Sequence, residues 1–396
     1  MNNASLAGRI QESLNQLGVP AWLFYDFRFT DPLANRILGI HESRHPTRRW
    51  FYLVPAQGTP TKLVHRIESS MLDHLPGKKL VYLRWQDLES GLGEMLKEFS
   101  SVAMQYSPEG AIPYVSKVDA GTIELVRGLG KTVTSSADLV QSFEAVLTPG
   151  QLREHHRASR AVSTIVLDAF RFASSAIRRR GSSSEAEVRD YILKRFRDRN
   201  LVTDSGPIVA VNQHSGDPHY ETASGRVTRI DAGDLLLIDL WAKTDTPGSV
   251  FADITWTAFF GGTPDERMRR VFEVVRRGRD AGVEFLQRRR AAGELPQGWE
   301  VDDAVRRTIA GLGYGEAFVH RTGHSLGEEI HGNGVNFDNL ETHDTRRLIP
   351  GVLCTIEPGV YLDDFGIRSE INVYMGEEGP EVTTPLQDAI VRPDKV

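Results

Sequence analysis

Two pairs of carboxylates, each divided by a turn-like segment, constrain the fold of this chain most strongly. Asp239 and Asp253 flank the turn-forming run DTPGS, and Glu357 and Glu370 flank Asp363–Asp364. If each segment folds back as a β-hairpin, acidic side chains meet in apolar surroundings. Opposed like charges destabilise a sheet, and burial raises the pKa of carboxyl groups that repel each other. A pair of divalent cations would resolve this conflict, so the pattern predicts a dinuclear metal site.

Counting residues predicts the register of both hairpins. Asp239 and Asp253 are symmetric about Thr246, so a fold there places them roughly opposite each other. The second pair is symmetric about the junction of residues 363 and 364. Directly opposed positions hold their Cβ atoms about 4.5–5.5 Å apart, which lets two carboxylates share metal ions. Pro358–Gly359 interrupts the second strand and predicts a bulge there.

The two hairpins belong to an internal repeat. The first members of the two pairs lie 118 residues apart and the second members 117. Thr148 opens the segment TPGQ ahead of a long helical pattern, and Thr263 opens TPDE 115 residues later. Threonine followed by proline is a helix-start signal. Each half therefore predicts helices followed by a carboxylate hairpin, and a pseudo-twofold relation would bring both hairpins to one central site.

The length of the chain and a change in its sequence patterns predict two domains. A chain of 396 residues exceeds one typical core, and its patterns change near residue 145. In residues 1–145, strand-like runs such as WLFYDF, RRWFYLVPA, KLVYLRW and SVAMQY alternate with helical segments, which indicates an α/β domain. Residues 146–396 carry the repeat and form the predicted catalytic domain of an α+β protein.

Charge and apolar runs exclude several function classes. The net charge of −6 argues against a nucleic-acid partner, and runs such as LLLIDLWA are too short to span a bilayer. The polar N-terminus lacks an apolar signal core, so a cytoplasmic location is expected. The single Cys354 excludes an internal disulfide and a cysteine-based zinc site, and its apolar surroundings predict a core residue.

Histidines between and before the hairpins are the candidate nitrogen ligands and pocket residues. The run HRTGHSLGEEIH carries His320, His324 and His331, and glycines on both sides of His324 let its ring reach a metal. His219 precedes Asp239 by 20 residues. His214 competes with His219 for a pocket position upstream of the first hairpin.

Arg368 has two predicted roles. It lies two residues before Glu370 and shares its face if the strand is regular. It would either form a salt bridge that orients Glu370 or bind a substrate carboxylate or carbonyl.

A second candidate metal motif in the sequence is not expected to bind metal. Residues 41–45 match H-E-x-x-H, which binds zinc only on a helix. Pro46 follows directly and disfavours a helical conformation at the preceding residue, so a loop is predicted there.

The order of these motifs resembles the pita-bread metallopeptidases, the group of methionine aminopeptidase, aminopeptidase P and prolidase. The runs IDLW, FADITWT, HRTGHSLGEEIH, TIEPGVY and GIRSEI succeed one another in the family's order across residues 150–390. The preceding domain looks like the N-terminal domain of the aminopeptidase P, prolidase and creatinase branch. The family's first hairpin usually contains D-x-G, whereas Trp241 stands in place of that glycine here.

The resemblance implies a site and a role for each residue. The implied metal ligands are Asp239, Asp253, His324, Glu357 and Glu370. Glu357 would also be the general base. His219 and His331 would stabilise the tetrahedral intermediate or hold the peptide. His320 would line the substrate pocket, where Arg368 would bind substrate.

The implied reaction is hydrolysis of the Xaa-Pro bond at the N-terminus of peptides or dipeptides. The enzyme would be a homodimer with two divalent cations per chain, and its N-terminal domain would serve oligomerisation or substrate access. Four carboxylates and one imidazole favour Mn²⁺, with Co²⁺ and Zn²⁺ as alternatives. Two other functions use the same fold: a creatinase-like C–N hydrolase or lyase, and a non-catalytic binding protein. Both groups tend to lack the metal ligands, whereas this chain has all five.

Overall fold

The computed structural model describes residues 5–41, 43, 46–222 and 228–394. The chain divides into two compact units, Met1–Glu144 and Ala145–Val396. The loop predicted at residues 41–45 includes Glu42, Arg44 and His45, which lie outside the described residues.

The first unit is a mixed sheet covered by helices. Its sheet order is β4-β3-β2-β1-β5-β6, in which β1 pairs antiparallel with β2 and parallel with β5. The strands are β1 (Ala21–Asp26), β2 (Trp50–Pro55), β3 (Thr61–His65), β4 (Lys78–Tyr82), β5 (Ser101–Met104) and β6 (Thr132–Ser135). The helices are α1 (Leu6–Leu17), α2 (Pro32–Ile37), α3 (Trp85–Leu96), α4 (Ala120–Gly128) and α5 (Ala137–Glu144).

The central strand β1 explains why this unit needs helices on both faces. All six of its residues are buried. Trp22 and Phe24 pack with Ile10 of α1, whereas Leu23 and Tyr25 pack on the opposite face, in the cluster that contains Leu92 of α3. Because successive side chains of a strand point to opposite faces, a continuous apolar run requires cover on both. The α/β prediction for this region is confirmed.

In the second unit, the same order of helices and strands occurs twice. Its helices are α6 (Pro149–Arg180), α7 (Glu185–Asp198), α8 (Glu266–Ala291) and α9 (Gly298–Gly311). Its strands are β7 (Ser183–Ser184), β8 (Leu201–Val202), β9 (Ile208–Val211), β10 (Arg229–Ile230), β11 (Leu235–Thr244), β12 (Ala252–Phe259), β13 (Leu353–Ile356), β14 (Gly359–Tyr361), β15 (Gly366–Arg368), β16 (Ile371–Met375) and β17 (Pro380–Val382). In each half a long helix and a 14-residue helix precede a hairpin with two carboxylates. The predicted repeat is therefore present in the fold.

The two long helices start differently from one another. Thr148 caps α6 as predicted, since its side chain accepts from the backbone N–H of Gln151 and Pro149 is the first helical residue. The corresponding prediction for Thr263 is wrong, because the Asp265 side chain caps α8. Pro264 precedes this cap instead of opening the helix, and an aspartate is at least as good an N-cap as threonine. The caps are 117 residues apart, which matches the spacing of the carboxylates more closely.

The first hairpin, β11–β12, has a register two residues away from the predicted one. Asp239 pairs with Thr255, and Asp253 pairs with Trp241. The turn is centred on Pro247, because Ala242 and Ala252 form the last pair before the loop. The two aspartates are therefore diagonal neighbours on one face of the hairpin, with Cα atoms roughly 7–8 Å apart, instead of directly opposed.

The second hairpin has the predicted register but no bulge. Ile356 pairs with Ile371, and Gly359 pairs with Arg368, so the same register holds on both sides of the break. Glu357 and Glu370 face each other in that break. The predicted bulge is wrong because the break contains two residues on each strand, so neither strand carries an extra residue. The backbone N–H of Glu357 donates to the Thr322 carbonyl, and that of Glu370 donates to the Thr255 carbonyl. Neither N–H therefore bonds to the opposite strand of its own hairpin.

The two hairpins meet edge to edge along β12 and β16. The backbone N–H of Asp253 donates to Oδ1 of Asn372 (3.0 Å), and Nδ2 of Asn372 donates to the Asp253 carbonyl (2.7 Å). The N–H of Glu370 donates to the Thr255 carbonyl (3.2 Å). The carboxylates of both halves consequently face one central region.

None of the helices in the described ranges is both long enough and apolar enough to cross a bilayer. Cys354 is a buried residue of β13, and its burial raises the pKa of the thiol.

A buried histidine of α6 predicts pH-dependent stability. Nδ1–H of His155 donates to the Phe251 carbonyl (2.8 Å), Nε2 accepts from the Thr383 hydroxyl (2.7 Å), and burial lowers the pKa to about 4. The unfolded chain takes up this proton at the ordinary pKa near 6.5. The neutral ring thus stabilises the fold fully above pH 6.5, and this contribution is lost as the pH falls toward 4.

We expect this loss to reach roughly 2–3 kcal/mol between pH 7 and pH 4.5, at about 1.4 kcal/mol per pKa unit. Urea unfolding of the wild type and of His155→Gln at both pH values measures it. The difference in stability between the two proteins should shrink at low pH. A constant difference would show that His155 does not titrate in this way.

Candidate metal centre

One imidazole and four carboxylates lie together between the hairpins. Nε2 of His324 is 3.4 Å from Oε1 of Glu357 and 3.7 Å from Oδ2 of Asp253. Ligand atoms of Asp253, His324 and Glu370 all lie within 4.8 Å of one another. Asp239 lies on the same face of the first hairpin as Asp253. The structure thus brings together the five residues that the resemblance implied as ligands.

Three carboxylate oxygens at this centre are buried without a hydrogen-bond partner. They are Oδ1 of Asp239, Oδ1 of Asp253 and Oε1 of Glu370. An unpaired buried carboxylate oxygen is costly unless an ion satisfies it. Oxygen-rich donor sets with one imidazole suit hard or borderline divalent cations. The residues present therefore fit a divalent metal site.

The pKa values of the four carboxyl groups reflect their burial and their mutual repulsion. Burial and the repulsion between neighbouring carboxylates raise the pKa of Asp253 and of Glu370 well above the ordinary value. Burial also raises the pKa of Asp239 to about 7, although Arg368 opposes this. For Glu357, burial acts to raise the pKa, but His324, His320 and Arg368 outweigh it and lower the pKa. Glu357 is thus the member of the group that most readily carries a negative charge.

The local backbone aims His324 at the carboxylates. A Cβ at Gly323 would lie 2.0 Å from the Thr355 carbonyl oxygen, so this position requires glycine, as the sequence predicted. Nδ1–H of His324 donates to the Ser325 carbonyl (3.1 Å), which leaves the lone pair of Nε2 toward Asp253 and Glu357. A backbone hydrogen bond to the second ring nitrogen is the usual orientation of a metal-bound histidine.

Two threonines hold the glutamates, and the sequence analysis did not identify them. Thr255 donates to Oε2 of Glu370 (2.8 Å). Thr355 accepts from the backbone N–H of His324 (2.9 Å) and donates to Oε1 of Glu357 (3.0 Å). Thr255 lies two residues after Asp253 on β12, and Thr355 on β13 lies two residues before Glu357, so this alternation was the available signal.

Arg368 contacts the first hairpin and not Glu370 directly. Its guanidinium donates to the Asp239 carboxylate, to Thr255 Oγ1 (2.9 Å) and to the Tyr361 hydroxyl (3.0 Å). The predicted salt bridge to Glu370 is therefore replaced by an ion pair with Asp239, and Arg368 reaches Glu370 only through Thr255. The cause is the break between β15 and β16, which turns Arg368 toward β11.

His320 is fixed by a network that includes Tyr361, another residue absent from the predictions. Nδ1–H of His320 donates to the Arg321 carbonyl (2.7 Å), and the Tyr361 hydroxyl donates to Nε2 (2.7 Å). Burial lowers the pKa of His320 to about 4, so the ring is neutral. Arg306 of α9 donates to the carbonyls of Phe318 and His320 and supports this segment from outside.

The remaining histidines differ in their position relative to the metal centre. His331 packs edge-on against His324, with ring centroids 4.5 Å apart, and burial lowers its pKa to about 4. His219 lies at the same cavity as the metal centre. His214 does not line this cavity; it contacts Glu185 and stacks on Tyr220. The structure thus distinguishes two histidines that the sequence could not.

A cavity of about 500 Å³ opens onto the carboxylates. Its polar lining includes all of the predicted catalytic and substrate residues: His219, His320, His331, Glu357 and Arg368. Its apolar lining includes Ile208, Pro218, Trp241, Val319 and Ile330. A cavity that combines apolar walls with convergent polar groups is typical of a small-molecule or peptide site.

The fold, the ligand candidates and the cavity together fit a divalent metal site beside a substrate-sized space. Residues 154–377 match the model of Metallopeptidase family M24, and the chain belongs to that family. The solved structures that it resembles include dipeptidase PepE from Mycobacterium ulcerans (TM-score 0.69, 20% identity, covering 98% of this chain and 96% of that one). They also include the prolidase from Pyrococcus horikoshii OT3 (TM-score 0.59, 21% identity, 98% and 99%). These likenesses confirm the pita-bread fold of the second unit and its α/β N-terminal companion.

The sequence is also similar to curated relatives. It is 29% identical over 251 residues to the Xaa-Pro dipeptidase of Pyrococcus furiosus, which covers 63% of this chain and 66% of the relative. The match thus spans slightly less than two thirds of the relative's length.

Proposed function

We propose that this chain hydrolyses the Xaa-Pro bond at the N-terminus of peptides. The observation that carries the proposal is the convergence of partnerless buried carboxylate oxygens from both hairpins beside Nε2 of His324. The family assignment and the relatives named Xaa-Pro dipeptidase support this function. The proposed metal ligands are Asp239, Asp253, His324, Glu357 and Glu370.

The cations would activate water and polarise the scissile carbonyl. Glu357 accepts the proton of the attacking water, because it is the carboxylate whose pKa is lowered and its oxygen faces the centre. The rings of His331 and His219 hold the peptide through their N–H groups. His320 and Arg368 form the wall against which the substrate lies.

The metal set is two ions per chain, with Mn²⁺ favoured because four of the five ligands are carboxylates. Co²⁺ and Zn²⁺ are the alternatives. The family resemblance supports a homodimer in which the N-terminal unit serves oligomerisation or substrate access. The single cysteine is in keeping with a cytoplasmic location. The creatinase-like and non-catalytic alternatives are less favoured because none of the five ligand candidates is missing.

A panel of Xaa-Pro and matched Xaa-Ala peptides, given to the Mn²⁺-loaded protein, tests the proposal. Release of the N-terminal residue from Xaa-Pro but not from Xaa-Ala is expected. No hydrolysis of any Xaa-Pro peptide by protein with bound metal would refute it.

Asn372 is expected to set metal affinity. Its amide pairs with both backbone groups of Asp253 and so fixes the position of that carboxylate. Loss of such a supporting contact usually lowers metal affinity about 10–100-fold. Titration of Mn²⁺ into metal-free Asn372→Ala, followed by calorimetry, measures the change. The exposed-site variant Asn15→Ala should bind as the wild type does, and equal affinity in both variants would remove this role from Asn372.

A further inference from the structure

Helix α9 carries a buried carboxylate that holds the segment in front of His324. Asp302 is fully buried, and its Oδ1 accepts hydrogen bonds from the hydroxyl (2.6 Å) and the backbone N–H (3.0 Å) of Thr322. Its Oδ2 accepts from Nε–H of Arg306 (2.6 Å) and from the backbone N–H of Asn339 (2.9 Å). A buried carboxylate is costly unless its oxygens are hydrogen-bonded, and here each oxygen has two donors. The side chain is therefore fixed between its own helix and two other segments of the chain.

Thr322 passes this restraint on to the proposed general base. Its carbonyl accepts from the backbone N–H of Glu357 (2.8 Å). Glu357 lies in the break of the second hairpin, where pairing with the opposite strand does not hold its backbone. Thr322 is fully buried, so its hydroxyl has to find its partner within the protein. The position of Glu357 thus depends on Thr322, and that of Thr322 depends on Asp302.

Arg306 holds the other end of the same segment. It pairs with Asp302 one helical turn earlier and donates to the carbonyls of Phe318 (3.0 Å) and His320. Its guanidinium carbon also lies 4.2 Å from the centre of the Phe318 ring. Residues 318–322, which include His320 of the cavity wall, are therefore fastened to α9 at both ends.

Resting on the proposed function, we propose that Asp302 is a positioning residue for Glu357 and that it acts through the hydroxyl of Thr322. The described residues that line the metal cavity include neither Asp302 nor Thr322, so the pair acts on the reaction through Glu357. A misplacement of about 1 Å caused by a mutation away from the chemistry can cost about a hundredfold in rate. Loss of a contact that supports a metal ligand usually costs about 10–100-fold in metal affinity or activity.

Two substitutions of Thr322 separate a hydrogen-bonding role from a packing role. Thr322→Val keeps the shape of the side chain and removes the hydroxyl, whereas Thr322→Ser keeps the hydroxyl and removes a buried methyl group. With the Mn²⁺-loaded protein and an Xaa-Pro substrate, Thr322→Val should lower kcat about tenfold or more and change KM less, whereas Thr322→Ser should stay within about threefold of the wild type. Asp302→Asn should lower kcat at least as much as Thr322→Val, because it also weakens the contacts with Arg306 and Asn339.

Calorimetric titration of Mn²⁺ into the metal-free proteins measures the same displacement without turnover. Thr322→Val and Asp302→Asn should bind Mn²⁺ about tenfold more weakly than the wild type, and Thr322→Ser should bind it as the wild type does. Thr122→Val is the matched control in the first unit. Thr122 is buried and donates to Asp119 through both its hydroxyl (2.8 Å) and its backbone N–H (2.9 Å). This control should keep the wild-type kcat and Mn²⁺ affinity.

The order of the variants decides the role of Asp302. Wild-type kcat and Mn²⁺ affinity in Thr322→Val would overturn the proposal, and so would a larger loss in Thr322→Ser, because that order indicates packing. Asp302→Asn gives an independent measure should Thr322→Val not fold, and wild-type values in it would likewise overturn the proposal. If the wild type cleaves no Xaa-Pro peptide, the proposed function fails, whereas the order of Mn²⁺ affinities still decides whether Asp302 positions Glu357.

Discussion

Replacement of Glu357 by glutamine will lower kcat by about a thousandfold or more and leave the fold intact. General-base catalysis alone contributes about 10²–10⁴-fold, and this residue is also a proposed metal ligand. Glutamine keeps the size of the side chain and can still accept from Thr355, which now donates to Oε1 at 3.0 Å. Steady-state kinetics on an Xaa-Pro substrate, with metal content measured in the same samples, gives the result.

The control for this prediction is Glu378→Gln, which makes the same glutamate-to-glutamine replacement at an exposed position. It should retain wild-type turnover. If Glu357→Gln binds metal and also retains turnover, the proton acceptor is another group. If it loses metal as well as turnover, its ligand role dominates, which the measured metal content will show.

Removal of metal will destabilise the second unit strongly. Without a cation, the buried carboxylates keep three oxygens unpaired and repel one another. Ligand that binds only the folded state at about 1,000 times its Kd stabilises by roughly 4 kcal/mol. For a unit of this size that corresponds to about 8–16 °C in Tm.

Thermal unfolding in EDTA and in excess Mn²⁺ measures this shift. Asp253→Asn provides the matched comparison, because it removes one charge and one ligand without a large change in volume. The metal-dependent shift should be much smaller in that variant. An equal shift in both proteins would place the bound ion elsewhere.

Counting the hairpin symmetry in the sequence predicted how the four carboxylates pair, whereas the full ligand set was implied by the family resemblance. It succeeded for Glu357 and Glu370, whose register is the same on both sides of the break. It missed by two residues for Asp239 and Asp253, because the backbone bonds of the turn place its centre at Pro247. Counting fixes which residues lie near a turn, but local hydrogen bonds fix its centre.

The supporting residues could not be predicted in the same way. Tyr361, Asn372 and Thr255 matter because of partners that are 41, 119 and 115 positions away in sequence. Such contacts depend on how the two halves pack, and for Tyr361 and Asn372 a single sequence contains no periodic signal. The choice between His214 and His219 was of the same kind, since it depends on which ring faces the cavity.

Anomalous diffraction from crystals grown with Mn²⁺ tests the central claim most directly. We predict two manganese peaks between the hairpins, among the carboxylates of Asp239, Asp253, Glu357 and Glu370, with one peak beside Nε2 of His324. Crystals with no manganese between these side chains, despite saturating metal, would contradict the account.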